Sequence, residues 1–361
     1  LKSSDTVYFV YGTHGDNPSQ IDDYIKIYTD LAEASGLQFK LTFAPIAGAA
    51  NILMECFSDE WTTKLVDLKK ENPATRYLIV CTEYLTGETF NYFPKTDPKP
   101  TTGVANQSKA KRSFAQIVYS ILRRVLPSWV IGIFGSIPGL KKMIHKKFGV
   151  KGDGWASPYF EKRFKNFKAV ADVSRQIVVV GFDQLDAYVA KFGKNFVGIV
   201  PSIPYVFPAF SATLSDERKD IDFLFSGSMT AYRKSVVERL RQQGYRVEAG
   251  FWGASVRQHF VERAKVCLHI RQYESWVSPS VMRLHQLLIS GALVVSETTS
   301  PSILQDKFIQ YADPADFVDV CVKTLAAGNF SKKAKELAIA YYNECGILRQ
   351  DAVDLMVKFV R

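Results

Sequence analysis

Two stretches of this chain gather residue types that suit an anionic, phosphate-bearing ligand. The first runs Asp222-Phe-Leu-Phe-Ser-Gly-Ser-Met-Thr-Ala-Tyr-Arg-Lys234: an apolar strand, a Gly227-Ser228 turn, then the basic start of a helix at Arg233 and Lys234. Gly227 lets the backbone approach a ligand closely. Ser228, Arg233 and Lys234 follow at distances that reach phosphate oxygens, and helix-start amides add to them. The second stretch runs from Ser278-Pro-Ser280 through a helix carrying Arg283 to Gly291, a buried strand and Glu297. The Ser278–Ser280 turn offers hydroxyls and amides at a helix start. Arg283 is a lone cation one turn into an otherwise apolar helix. Glu297 either accepts hydroxyls of a ribose or caps the turn Thr298-Thr-Ser-Pro. Tyr273, Glu274 and Trp276 can stack on or bond to a base or a sugar. His269 and His285 lie on apolar elements and read as core or as ligand wall.

No metal is expected at these loops. Asp220-Ile-Asp222 precedes its strand rather than following it and reads as a solvated turn. The five cysteines, Cys56, Cys81, Cys267, Cys321 and Cys345, are widely spaced, which fits reduced thiols and gives no zinc-ligand spacing.

Strands that alternate with helices must present these loops. Val7–Tyr11, Leu37–Phe43, Tyr77–Cys81, 176–180 and 196–200 read as strands in the first part. Helices are expected at 21–35, 52–70, 155–175 and 182–191. The second part repeats the pattern, with strands at 222–226, 245–248, 266–270 and 292–296. Its helices fall at 232–243, 255–264, 281–289, 315–326 and 331–359. This alternation predicts α/β architecture with parallel sheets, whose polar loops sit at strand carboxyl ends. A length of 361 residues predicts two such domains, 1–208 and 209–335, with 336–361 as a C-terminal helix returning to the first. Pro201, Pro204 and Pro208 mark the boundary.

The formal net charge of +10 is unevenly placed. Between Pro98 and Gly152 there are eleven Lys or Arg and no acid, while the rest of the chain carries 35 basic and 36 acidic residues. This insertion also carries Trp129, Phe134 and many aliphatics between Arg123-Arg124 and Lys141-Lys142. The apolar run is too short and too broken by Pro and Gly to span a bilayer. It fits an interfacial segment on an anionic membrane, with Arg123, Arg124, Trp129, Phe134, Lys141 and Lys142 in contact. A helical hairpin packed on its own domain, with a solvated basic rim, is the alternative. Nucleic acid is not the expected partner, because no helix-turn-helix, zinc finger or aromatic-basic strand accompanies the charge.

The order Gly227-Ser228-x-x-x-x-Arg233, then an Arg283-bearing helix and Gly291-Ala-Leu, resembles bacterial glycosyltransferases of the GT-B fold. The pattern is similar to the CgeB-like group and to glycosyltransferase group 1-like proteins. The resemblance implies two Rossmann-like domains facing a cleft, with C-terminal helices crossing back to the first. It implies metal-independent transfer of a sugar from a nucleotide-sugar donor, itself a substrate, so that no cofactor is needed. A saccharide or glycolipid acceptor would be served at the inner membrane face, in surface polysaccharide or lipopolysaccharide synthesis. The donor base and sugar stay open, CMP-linked acid sugars included. His14, in the loop after the first strand, and Glu83, at the end of a buried strand, are the expected acceptor-side bases. The carboxylate pair of the common retaining families is absent: its positions are Ser278 and Gln286. A non-catalytic assembly protein on a degenerate GT-B scaffold is the alternative. A nucleotide-binding dehydrogenase is weakened because no Gly-x-Gly-x-x-Gly follows the first strand.

Overall fold

The computed structural model describes residues 5–14, 21–86, 89–90, 157–208, 215–250, 253–274, 276–299 and 303–361. The basic insertion and its six expected membrane contacts (Arg123, Arg124, Trp129, Phe134, Lys141 and Lys142) lie outside the described residues. The chain divides into two compact units, residues 1–82 with 170–361, and residues 83–169.

The larger unit holds two parallel sheets. The first contains β1 (Thr6–Val10), β2 (Gln38–Thr42), β3 (Ala50–Met54), β4 (Arg76–Cys81), β7 (Gln176–Val179) and β8 (Val197–Ile199), in the order β2-β1-β3-β4-β7-β8. Helices α1 (Asp22–Ala34), α2 (Asp59–Glu71) and α4 (Phe182–Phe192) connect them. Strands β3 and β4 are near-continuous apolar runs buried on both faces, as a covered parallel sheet requires. The second sheet contains β9 (Ile221–Ser226), β10 (Val247–Gly250), β11 (Ala264–His269), β12 (Val294–Glu297) and β13 (Gln310–Ala312), in the order β10-β9-β11-β12-β13. Its helices are α5 (Ala231–Gln242), α6 (Ala254–Arg263), α7 (Val281–Ile289) and α8 (Phe317–Ala326). In both sheets the first strand has its sequence successor on one side and the third strand on the other. The strand order therefore reverses beside β1 and beside β9, and ligand crevices form at such switch points.

The C-terminal helix α9 (Phe330–Glu344) packs on α7 and β11 of the second sheet, and α10 (Gly346–Val360) returns to α1 of the first. Ala352, Met356, Phe359 and Val360 are buried in one core with Val7, Tyr28, Leu31 and Val178. Arg175 Nη1 donates to Phe359 O at 3.2 Å, and Tyr341 Oη donates to Ser202 O at 2.8 Å.

Two expected elements differ. The helix read over 52–70 is strand β3 followed by α2. Ile52, Leu53 and Met54 pair with β1 and β4, and Ser58 caps α2 by accepting from Trp61 N at 3.2 Å. The apolar run belonged to a doubly covered strand, which periodicity alone does not separate from a helix. The helix read over 331–359 is two helices, broken at Cys345-Gly346.

The smaller unit contains the pair β5 (Leu85–Thr86) and β6 (Thr89–Phe90), with most of α3 (Ser157–Ala171). The Phe90 ring packs edge-on against Phe164 and Phe167, both at 5.4 Å.

Candidate functional site

The second sheet's switch point is built around Phe225. Its ring lies between two guanidinium groups, with Arg233 Cζ at 5.1 Å and Arg283 Cζ at 5.7 Å from the centroid. Arg233 is buried, and Arg283 is half-buried with its Nη1 enclosed. Gly227 follows directly, and a Cβ there would sit 2.9 Å from Arg283 Nη2 and 3.1 Å from Phe225 Cζ. Glycine is thus what lets the turn close over the guanidinium. Thr230 begins α5, accepting from Arg233 N at 3.3 Å and donating to Gln272 O at 2.7 Å. The loop after β9 is thereby tied to the loop after β11.

The two arginines differ in their partners. Arg233 donates Nε to Ile270 O and Arg271 O, both at 3.1 Å, and Nη1 to Ser228 O at 3.0 Å. It is a brace that shapes both loops, and burial lowers its pKa to about 10. Arg283 Nη1 finds no hydrogen-bond partner among the described residues. Burial first, then the charges of Arg233 and Arg257, lower its pKa to about 9, with Asp23 opposing. A buried cation without hydrogen-bonded compensation is costly. An anion delivered to the Gly227 turn would supply that compensation.

Neighbouring groups are locked. Both oxygens of Glu297, which is fully buried, are engaged: one accepts from Tyr232 Oη, the other from Arg271 N at 2.7 Å. Tyr232 is pushed up by burial and by that carboxylate. The Arg271 guanidinium donates to Thr298 O and, at 3.2 Å, to Glu274 O. His269 Nδ1 lies 2.8 Å from Ser296 Oγ, which donates to Glu297 O. Burial, then Arg283, Arg233 and Arg271, hold His269 neutral by pulling its pKa well below the ordinary value. His285 is buried beside Tyr341 Oη at 3.3 Å, and burial lowers its pKa to about 3. Both histidines are core groups, of which His269 touches the floor of the site.

The remaining sequence candidates sit at the rim. Ser228, Lys234 and Tyr273 are exposed, and the Tyr273 and Trp276 ring centroids stand 6.4 Å apart. Ser278 and Ser280 are half-buried, and Ser280 starts α7 without a side-chain cap, leaving the first amides of that helix to other acceptors. Asp220 is no isolated turn residue: it pairs with Arg246 and Arg263 across strand ends, while Asp222 belongs to β9 and binds Lys265 at 2.7 Å.

At the first sheet's switch point stand the loops after β1 and β3. His14 lies in a turn closed by its own N–H donating to Tyr11 O at 3.0 Å. Glu55, which the misread helix had hidden, follows β3 as a buried carboxylate and accepts from Thr82 Oγ1 at 2.5 Å. Glu83 belongs to the smaller unit, where it pairs with Arg163 Nη1 at 2.8 Å. The larger unit's site is thus assembled without it.

The carboxyl ends of the two sheets touch. Asp22 Oδ2 accepts from Ala254 N at 2.5 Å, at the start of α6, and Asp23 forms a bidentate pair with Arg257. Burial raises the Asp23 pKa, against the opposing hydrogen bond and charge of Arg257. A Cβ on Gly181 would lie 3.3 Å from Val281 Cγ2, at the head of α7. Sequence reading missed this contact. Asp22-Asp23 carried only a helix-start signal, and their partners lie more than two hundred residues away.

The chain matches no protein-family model, and no curated protein is significantly similar to it. Solved structures are similar at low identity. TarM of S. aureus is 13% identical, covering 59% of this chain and 48% of TarM, with a TM-score of 0.39. This chain therefore spans about half the length of TarM. T4 phage BGT, solved with UDP-glucose, is 10% identical over 98% of this chain and 99% of its own, with a TM-score of 0.47. The lipopolysaccharide outer core galactosyltransferase WaaB is 12% identical over 97% of this chain and 99% of its own, with a TM-score of 0.38.

Proposed function

We propose that the protein is a GT-B glycosyltransferase that moves a sugar from a nucleotide-sugar donor to a saccharide or glycolipid acceptor. One observation carries this reading: the enclosed Nη1 of half-buried Arg283, which has no hydrogen-bond partner among the described residues, lies against a glycine turn at a switch point. In the proposed mechanism the donor phosphates lie over Gly227, between Arg283 and the amides at the starts of α5 and α7. Negative charge grows on the leaving nucleotide as the glycosidic bond breaks, and preorganised cations and amides stabilise it without metal. Arg233 holds the turn in place, Lys234 and Ser228 reach the outer phosphate, and Tyr273 packs on the base or sugar. Glu297 acts through Tyr232 and the Arg271 amide, keeping the loop after β11 in register.

The acceptor meets the first sheet. His14 takes the proton from its attacking hydroxyl. Glu83, paired with Arg163, is the second candidate. The basic insertion is proposed to hold the enzyme on anionic lipid at the inner membrane face, where CgeB-like and related polysaccharide enzymes would find lipid-linked acceptors.

Thermal shift against UDP, GDP, TDP and CMP tests the donor site, since a ligand selective for the folded state raises apparent stability. One nucleotide should raise the Tm in the presence of EDTA, and Arg283→Ala should abolish the rise. No shift with any of them would refute the reading. Co-sedimentation with vesicles, with and without anionic lipid, tests the insertion.

A further inference from the structure

The first sheet carries an aromatic surface that the donor site does not use. Phe43 and Leu41 are 46% and 44% exposed, and Ile46 is 38% exposed. Tyr11 meets Phe43 edge-on at 5.5 Å, and Phe43 meets Trp61 edge-on at 5.8 Å. Lys64 Nζ stands 5.3 Å from the Trp61 ring centroid. The cluster is built into the backbone rather than draped on it. Gly12 N donates to Phe43 O at 3.2 Å, and a Cβ on Gly12 would lie 2.3 Å from that oxygen and 2.9 Å from Trp61. Gly12 therefore lets the β1 loop, the end of β2 and the start of α2 close on one another.

Its position is specific. Tyr11 opens the turn that ends in His14, so the cluster borders the first switch point. Exposed Phe43 with half-buried Tyr11 and Trp61 offers apolar surface beside a place where ligand crevices form. Strand β2 is also the edge of its sheet among the described residues, and an edge strand directs amides and carbonyls outward.

The geometry points to a saccharide-stacking subsite: Phe43 and Trp61 receive the C–H face of a pyranose, and the β2 edge and Lys64 bond its hydroxyls. A pyranose joins an apolar face to a polar rim, and this surface offers both in the same order. This deepens the proposed function by making the acceptor a saccharide read through its ring faces.

The test is direct binding without nucleotide. Maltotetraose, cellotetraose and chitotetraose are titrated into the full chain by calorimetry and by saturation-transfer NMR. At least one should bind, with ring C–H protons saturated. Phe43→Ala and Trp61→Ala should each weaken it tenfold or more, and Phe43→Tyr should restore it. Ile347→Ala, at the 79% exposed Ile347 on α10, controls for surface apolarity and should change nothing. Binding that ignores Phe43→Ala and Trp61→Ala overturns the subsite, and so does failure of all three sugars to bind. Self-association or vesicle binding that disappears in Phe43→Ala, without sugar binding, assigns the surface to another occupant and also overturns it. Aromatic-dependent sugar binding in a protein that binds no nucleotide would keep the subsite and remove the transferase reading. Nucleotide binding with sugar binding indifferent to these variants would do the reverse.

Discussion

The two sheets of the larger unit share a winding and differ in what they place at its reversal. Beside β9 stand a buried and a half-buried guanidinium, a glycine turn and two helix starts; beside β1 and β3 stand a histidine, a buried carboxylate and an aromatic cluster with Phe43 exposed. One end suits a charged, rigid phosphate group, the other a neutral ligand with apolar faces. The two ends thus differ in chemistry on one topology, and the difference lies in a handful of loop residues rather than in the scaffold.

The largest test of this contrast is Arg283→Met. Nucleotide-induced stabilisation should vanish and any transfer should fall about 100-fold or more, the scale of losing one preorganised charge contact. Ligand-free Tm should change little, because a half-buried guanidinium whose enclosed Nη1 has no hydrogen-bond partner among the described residues gives way to an apolar chain of similar length. A variant that loses stability yet still responds to nucleotide would erase the distinction between the sheets.

Next comes the contact that joins them. Asp23→Ala leaves Arg257 half-enclosed without its carboxylate and should cost about 2 kcal/mol in denaturant unfolding, discounted for partial exposure. Asp23→Ala combined with Arg257→Met should recover part of that loss. Strict additivity would show that the pair does not couple the sheets.

Acid sharpens the contrast further. The two depressed histidines, His269 and His285, belong to the second half. Their folded pKa values lie below the unfolded one, so the stability they contribute is complete above about pH 6.5. It is lost as pH falls towards about 3 for His285. Each contributes a slope of up to about 1.4 kcal/mol per pH unit in that window. His285→Gln should flatten the decline in Tm between pH 7 and 5. An unchanged slope would place the acid sensitivity in other groups.

The smallest effect is expected at the rim. Lys234 is exposed, so Lys234→Ala should weaken nucleotide binding less than tenfold, and the difference should shrink in 0.5 M salt. A salt-independent loss would mean that Lys234 contacts the ligand in an enclosed position.

Much of this architecture is legible in the sequence where local signals and burial agree. Strand 221–226, helix 281–289 and strand 294–297 follow from apolar runs bounded by polar turns, and α7 falls where its periodicity places it. Arg283 stands out because nothing else in its helix carries charge, and its partial burial is the counterpart of that isolation. The sequence is silent where meaning comes from a distant partner. Glu55 looks like a helix-face acid until β3 is recognised as a strand buried on both faces. Asp23 looks like a favourable first-turn charge until Arg257 is placed beside it. Glu297 is conspicuous at the end of its strand, but only the fold shows that Tyr232 and Arg271 occupy both its oxygens.

The return of α10 to the first sheet has a bearing on assembly. Met356 and Phe359 share a core with Tyr28 and Leu31, so the earliest strands stay unsealed until some of the most distant residues arrive. Non-local closure of this kind slows folding and leaves sticky intermediates waiting. During synthesis the α1 face of the first sheet therefore stays uncovered until residues 352–360 have been made.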